Sequence, residues 1–62
     1  MINSGKEWDF MEDEVRIEEI LIEANAYNLR QEVITTAEVF MKDDPDLNKA
    51  VAYEMAYMEW VK

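Results

Sequence analysis

Apolar and polar positions alternate along this chain in three stretches, separated at Asn28 and at the acidic turn Asp43-Asp44-Pro45-Asp46. Read at about 100° per residue, each stretch has the periodicity of an α-helix. The first, Trp8 to Tyr27, carries two apolar rows. One holds Phe10, Ile17, Ile20, Leu21, Ala24 and Tyr27; the other holds Trp8, Met11, Val15, Ile22 and Ala26. Glu7, Glu14 and Glu18 separate the rows on one side, and Glu12, Glu19 and Glu23 on the other. A surface helix of a monomer normally has a single apolar stripe. Two rows call for two covers, one from the same chain and one from a second copy or a partner.

The second stretch, Leu29 to Lys42, is single-faced. Leu29, Val33, Ala37 and Phe40 share a side that Ile34 and Met41 widen, opposite Arg30, Gln31, Glu38 and Lys42. Its β-branched residues are compatible with a strand, but no second strand is available to pair with it, so the helix prevails. The third stretch again has two rows: Leu47, Val51, Met55 and Met58, and Tyr53, Tyr57 and Trp60. Ala50, Ala52 and Ala56 lie between them.

The pattern predicts helices over about 7–27, 29–42 and 45–61, after a flexible polar lead-in at 1–6. Ser4 with Glu7 has capping-box spacing, and Asp9 with Glu12 offers a competing start. Asn28 suits either the left-handed residue that ends the first helix or the N-cap of the second. One long bent helix is the alternative; a break at Asn28 is preferred. Asp44 and Pro45 read as N-cap and first residue of the third helix. The expected fold class is all-α: one small domain, a three-helix bundle or bent helical hairpin, completed by homo-oligomerisation.

Composition is the ground for expecting homo-oligomerisation. Sixty-two residues make a marginal core, and small domains are usually supported by disulfides, a metal or oligomerisation. With no Cys and no His, disulfides, thiolate chemistry and ordinary zinc sites are excluded. A dimer with an isologous interface is the simplest remaining expectation. Its interface is expected to use Met11, Val15 and Ile22 from the first helix and Met55 and Met58 from the third.

Charge narrows the function. Fifteen acids against six Lys and Arg give a net charge of −9, while the apolar fraction is 50%. That combination describes a folded acidic domain rather than a disordered tail. It opposes binding to nucleic acid and to anionic membranes, and favours encounter with basic surfaces. The first helix is the acidic pole: residues 1–28 hold eight acids and two bases, residues 29–62 seven acids and four bases. No apolar run approaches a membrane span and no signal-peptide core is present, so a cytoplasmic location is expected.

Catalysis finds few tools here. Without His or Cys, Ser4, Thr35 and Thr36 have no evident activating base. The acids lack the Gly-containing EF-hand loop and the Glu-x-x-His motif of di-iron bundles. No enzyme activity, cofactor or metal site is expected. The acids of the first helix have plain structural roles, as helix-dipole complements and a solubilising surface. A sharper role is contact with a basic protein, or imitation of nucleic acid, since carboxylates at i and i+4 lie about 5–6 Å apart. Tyr53, Tyr57 and Trp60 read first as packing residues, and alternatively as an interface hot spot or a nucleobase platform.

The functional expectation is therefore a non-enzymatic binding protein that blocks or regulates a larger protein with a basic surface. Chains of this kind occur among phage-encoded inhibitors of host defence or transcription. Glu12, Asp13, Glu19 and Glu23 are expected to supply charge, and Trp8, Tyr57 and Trp60 apolar anchors. The alternatives are a structural oligomer with an acidic, solubilising surface, or an oligomer that sequesters a small nucleotide.

Overall fold

The structure, a computed structural model, describes residues 5–61, with side chains from Asp13 to Val61. It is all-helical, three helices in the order α1 Gly5–Ala26, α2 Arg30–Asp43 and α3 Lys49–Trp60, and no strand is present among the described residues. Helix α1 begins two residues earlier than the periodicity predicts, so Gly5 and Lys6 belong to it and not to a lead-in. The Ser4–Glu7 and Asp9–Glu12 capping alternatives lie outside the described side chains.

Asn28 breaks the first two helices. Its φ is 60°, the left-handed region that Asn tolerates better than most residues. The Asn28 N–H donates to the Asn25 carbonyl at 3.0 Å and the Leu29 N–H to the Ala24 carbonyl at 2.8 Å. These two bonds make a Schellman ending with Asn28 as the left-handed residue. Ala24 lies in the core cluster and Leu29 packs against that cluster, in keeping with the hydrophobic contact that accompanies this motif. The N-cap of α2 is Leu29, and its side chain makes no capping bond.

The second boundary corrects the sequence reading. Asp44 ends α2, its N–H donating to the Phe40 carbonyl, and Pro45 does not open α3. Instead the chain turns: the Leu47 N–H donates to the Asp44 carbonyl at 2.9 Å, and the Asp46 N–H to Asp44 Oδ1 at 3.3 Å. Helix α3 starts four residues later than expected, at Lys49. Its N-cap is Asn48, whose Oδ1 accepts from the Val51 N–H at 3.1 Å. Asn is among the strongest N-caps, and it stands directly before the Lys49-Ala50-Val51-Ala52 run.

The three helices form an up-down-up bundle. Asp13 meets Asn48, Arg16 meets Glu54 and Glu23 meets Tyr57, so α1 and α3 run parallel, with α2 antiparallel to both. The residues between them are small. The buried set is Ala24, Val33, Ala37, Ala50, Ala52, Tyr53 and Ala56, with Val33 the largest fully buried side chain. Ile17, Ile20, Leu21, Leu29, Ile34, Phe40, Met41, Leu47 and Tyr57 pack around this centre only partly buried. The helices thus meet through alanines, and the larger aliphatic chains close the margins.

This arrangement decides which rows face inward. On α1, Ile17, Ile20, Leu21 and Ala24 join the core, whereas Val15 and Ile22 stand 51% and 69% exposed on the opposite side. On α3 the inward face is Ala52, Tyr53 and Ala56, and Val51, Met55 and Met58 look outward. The aromatic and alanine positions of α3, and not its row of larger aliphatic residues, build its buried side.

Candidate functional site

The outward side of α1 is a narrow apolar row between two lines of carboxylates. Val15 and Ile22 are seven residues apart and therefore almost superposed along the helix. Glu14 and Glu18 flank them on one side and Glu19 on the other; all three are exposed. Among the described residues the one ion pair joins Arg16 to Glu54, so none of these three carboxylates is paired there. The face combines apolar surface with unneutralised negative charge over two turns.

The residues singled out from the sequence do not form one patch. Glu19 stands on the outward side of α1. Asp13 lies at the seam with α3, where its Oδ2 accepts from Asn48 Nδ2 at 3.1 Å. Glu23 lies on the same seam and accepts from the Tyr57 hydroxyl at 2.9 Å. Trp60 sits against α2: its indole N–H donates to Thr36 Oγ1 at 2.9 Å, while 48% of the residue stays exposed. Glu12, Trp8 and Met11 lie outside the described side chains. Of the expected interface residues, Val15 and Ile22 face out from α1, and Met55 and Met58 face out from α3. The polar contacts Arg16–Glu54 and Glu23–Tyr57 lie between these two rows.

The aromatic row of α3 is engaged within the chain. Tyr53 is buried, Tyr57 is bonded to Glu23 and Trp60 to Thr36. The bond to Glu23 holds the Tyr57 phenol above the ordinary tyrosine value, and desolvation, the Glu23 charge and neighbouring Tyr27 push the same way. A carboxylate acceptor stabilises the protonated phenol and resists formation of a second negative charge beside it.

Asn48 and Arg16 hold helices together in ways that escaped the sequence reading. Asn48 both caps α3 and reaches across to Asp13. Arg16 spans from α1 to Glu54. Asn48 carries a signal, an N-cap residue type directly before an apolar run, but the stronger local signal of Asp44-Pro45 masks it. Arg16 carries none, because its partner is 38 positions away.

Among the described residues no group of three or more acids is placed to hold a metal ion, and no helix is long and apolar enough to cross a membrane. A surface groove of about 480 Å³ lies beside the same α1 face and is lined by Glu18, Leu21, Ile22, Asn25 and Arg30. It is an open cleft at the α1–α2 junction. Comparison with known proteins found no match: no family model, no curated protein and no solved structure resembles this chain.

Proposed function

We propose that this chain is a non-enzymatic acidic binding protein that blocks or regulates a larger protein through a basic surface. One observation carries the reading: the exposed Val15–Ile22 row of α1, bordered by the unpaired carboxylates of Glu14, Glu18 and Glu19. Apolar area supplies affinity that does not depend on sequence-remote charge, and the carboxylates speed encounter and fix orientation. The complementary surface has an apolar strip edged by Lys or Arg. A DNA- or RNA-binding protein offers such a surface, and this gives the nucleic-acid-mimic and phage-inhibitor readings their physical content. A cytoplasmic setting goes with them. Trp60 is a candidate second anchor, on the side of the bundle formed by α2 and α3.

The test is affinity capture from the cell that encodes the chain, compared with the triple variant Glu14→Lys, Glu18→Lys, Glu19→Lys. These positions are exposed and have no ion-pair partner among the described residues, so the variant is expected to keep the fold. Glu23 is unsuitable for the purpose because of its bond to Tyr57. A partner retained by the wild type, released at about 0.5 M salt and absent from the variant supports the proposal. Equal retention by both proteins removes it.

A further inference from the structure

The end of the bundle at which α1 and α3 both terminate is negative for two reasons. The helices run parallel, so their C-termini lie at the same end, and neither has a basic residue in its last turn. A helix C-terminus carries partial negative charge and favours a cation beside it. The last turn of α1 instead holds Glu23, and that of α3 holds Glu59. Arg30, at the start of α2, lines the groove on the other flank of α1, with Glu18 and Ile22.

Two tyrosines stand at Glu23. The Tyr57 hydroxyl donates to Glu23 Oε1 at 2.9 Å, and Oε2 makes no bond to the described residues. The one ion pair among those residues is Arg16–Glu54, so Glu23 has no cationic partner there. Tyr27 follows Glu23 by four positions, the spacing of neighbours on one helix face. The backbone is still wound at that point, because the Tyr27 N–H donates to the Ala24 carbonyl at 3.1 Å. Tyr27 is 58% exposed, and its phenol lies near enough to Tyr57 to act on it electrostatically. Core packing therefore does not account for an aromatic residue at this position.

We propose that Glu23, Tyr27 and Tyr57 form a binding site for an arginine side chain of a partner protein. Aromatic rings beside a carboxylate suit a cation, which gains from the ring quadrupole as well as from the oxygen. Arginine suits the site better than lysine: its guanidinium is weakly hydrated, stacks on aromatic faces and presents a fork of N–H donors to a carboxylate. The bond from Tyr57 holds the carboxylate in place beforehand, which lowers the ordering cost of binding. The site presupposes the basic partner proposed above, and names the side chain it grips and the flank of α1 on which it does so.

Nuclear magnetic resonance titration with N-acetyl-arginine amide, at fixed ionic strength, tests the proposal, with the neutral isostere N-acetyl-citrulline amide as control. The expected result is a saturable shift of the Glu23, Tyr27 and Tyr57 resonances by the arginine compound, half-complete on the order of 10 mM, and none by citrulline. Tyr27→Leu should weaken binding about two- to fivefold, and Tyr27→Phe, which keeps the ring, should restore it. Glu23→Gln, which keeps an acceptor for Tyr57, should weaken it at least threefold. Equal shifts with citrulline, or arginine binding indifferent to Tyr27→Leu, would overturn the proposal. Its failure is distinct from that of the α1 reading. A target lost from the Glu14, Glu18 and Glu19 triple variant but held fully by Tyr27→Leu overturns the arginine site alone. Arginine binding that needs Tyr27, with a target retained equally by the triple variant, supports the site and removes the role of the Val15–Ile22 face.

Discussion

The Tyr57 hydroxyl donates to Glu23 across the α1–α3 seam at 2.9 Å, joining residues 34 positions apart. It is one of three side-chain contacts that set the parallel register of these helices, together with Asn48–Asp13 and Arg16–Glu54. Because all three are polar and lie at the surface, they specify register more than they supply stability.

The titration of Tyr57 follows from that bond. A phenol whose folded-state value is raised binds its proton more tightly in the folded protein than in the unfolded chain. Its contribution is therefore complete below the unfolded value of about 10 and is lost as pH rises through the higher folded value. Denaturant midpoints should fall above pH 10 in the wild type, and this component of the fall should be absent in Tyr57→Phe. Tyrosinate absorbance at alkaline pH should show one phenol titrating late, and Glu23→Gln should move it back toward the ordinary range.

Asn28 gives a sharper test of the break between α1 and α2. At φ 60° a residue with an ordinary Cβ costs about 1–2 kcal/mol. Asn28→Ala should lower the unfolding free energy by about 1 kcal/mol, and Asn28→Gly should be neutral or slightly stabilising. Equal effects of the two substitutions would mean that the left-handed conformation does not matter to stability.

Asn48→Ala removes an N-cap and an interhelical bond together and should cost about 1–2 kcal/mol in chemical unfolding. Asn48→Asp keeps the capping oxygen but brings a carboxylate to Asp13. It should therefore fold less stably than wild type at neutral pH in low salt, and added salt, by screening the two carboxylates, should narrow the difference.

Ala56 is fully buried in the core cluster. Ala56→Leu should cost about 1–3 kcal/mol, because the backbones must separate to admit the larger chain. The outward Val51→Leu should change stability by less than about 0.5 kcal/mol. Thermal unfolding of the two variants distinguishes them.

Much of the fold was legible in the pattern of residues because local rules and packing agreed. Helix α2 presents the single face that its spacing predicts, and Asn28 performs one of its two expected roles. Legibility failed where two local signals competed or where distance between helices decided. Asp44-Pro45 is a good helix start in isolation, yet Asp44 is already used to end α2 and to hold the Asp46 amide. On α3 the periodicity offers two apolar rows, and hydrophobicity alone does not choose between them. Close approach to α1 and α2 favours alanine instead, and spacing between helices is not written in any one of them. The acidic character of α1 was evident from sequence, but which carboxylates remain free was not: Asp13 and Glu23 are engaged by residues 35 and 34 positions away.

A core of alanines also bears on how this protein can be observed at work. Ile17, Ile20, Leu21 and Phe40 remain only partly buried around that centre, so the isolated bundle holds back part of the burial its sequence could support. Any molecule that settles on its flanks adds burial that the unfolded chain lacks, and by linkage raises the temperature of unfolding. The melting curve is thus a gauge of occupancy. A shift with the protein's own concentration reports self-contact, a shift with added basic protein reports a target, and the opposite salt dependences of the two tell an observer which has occurred.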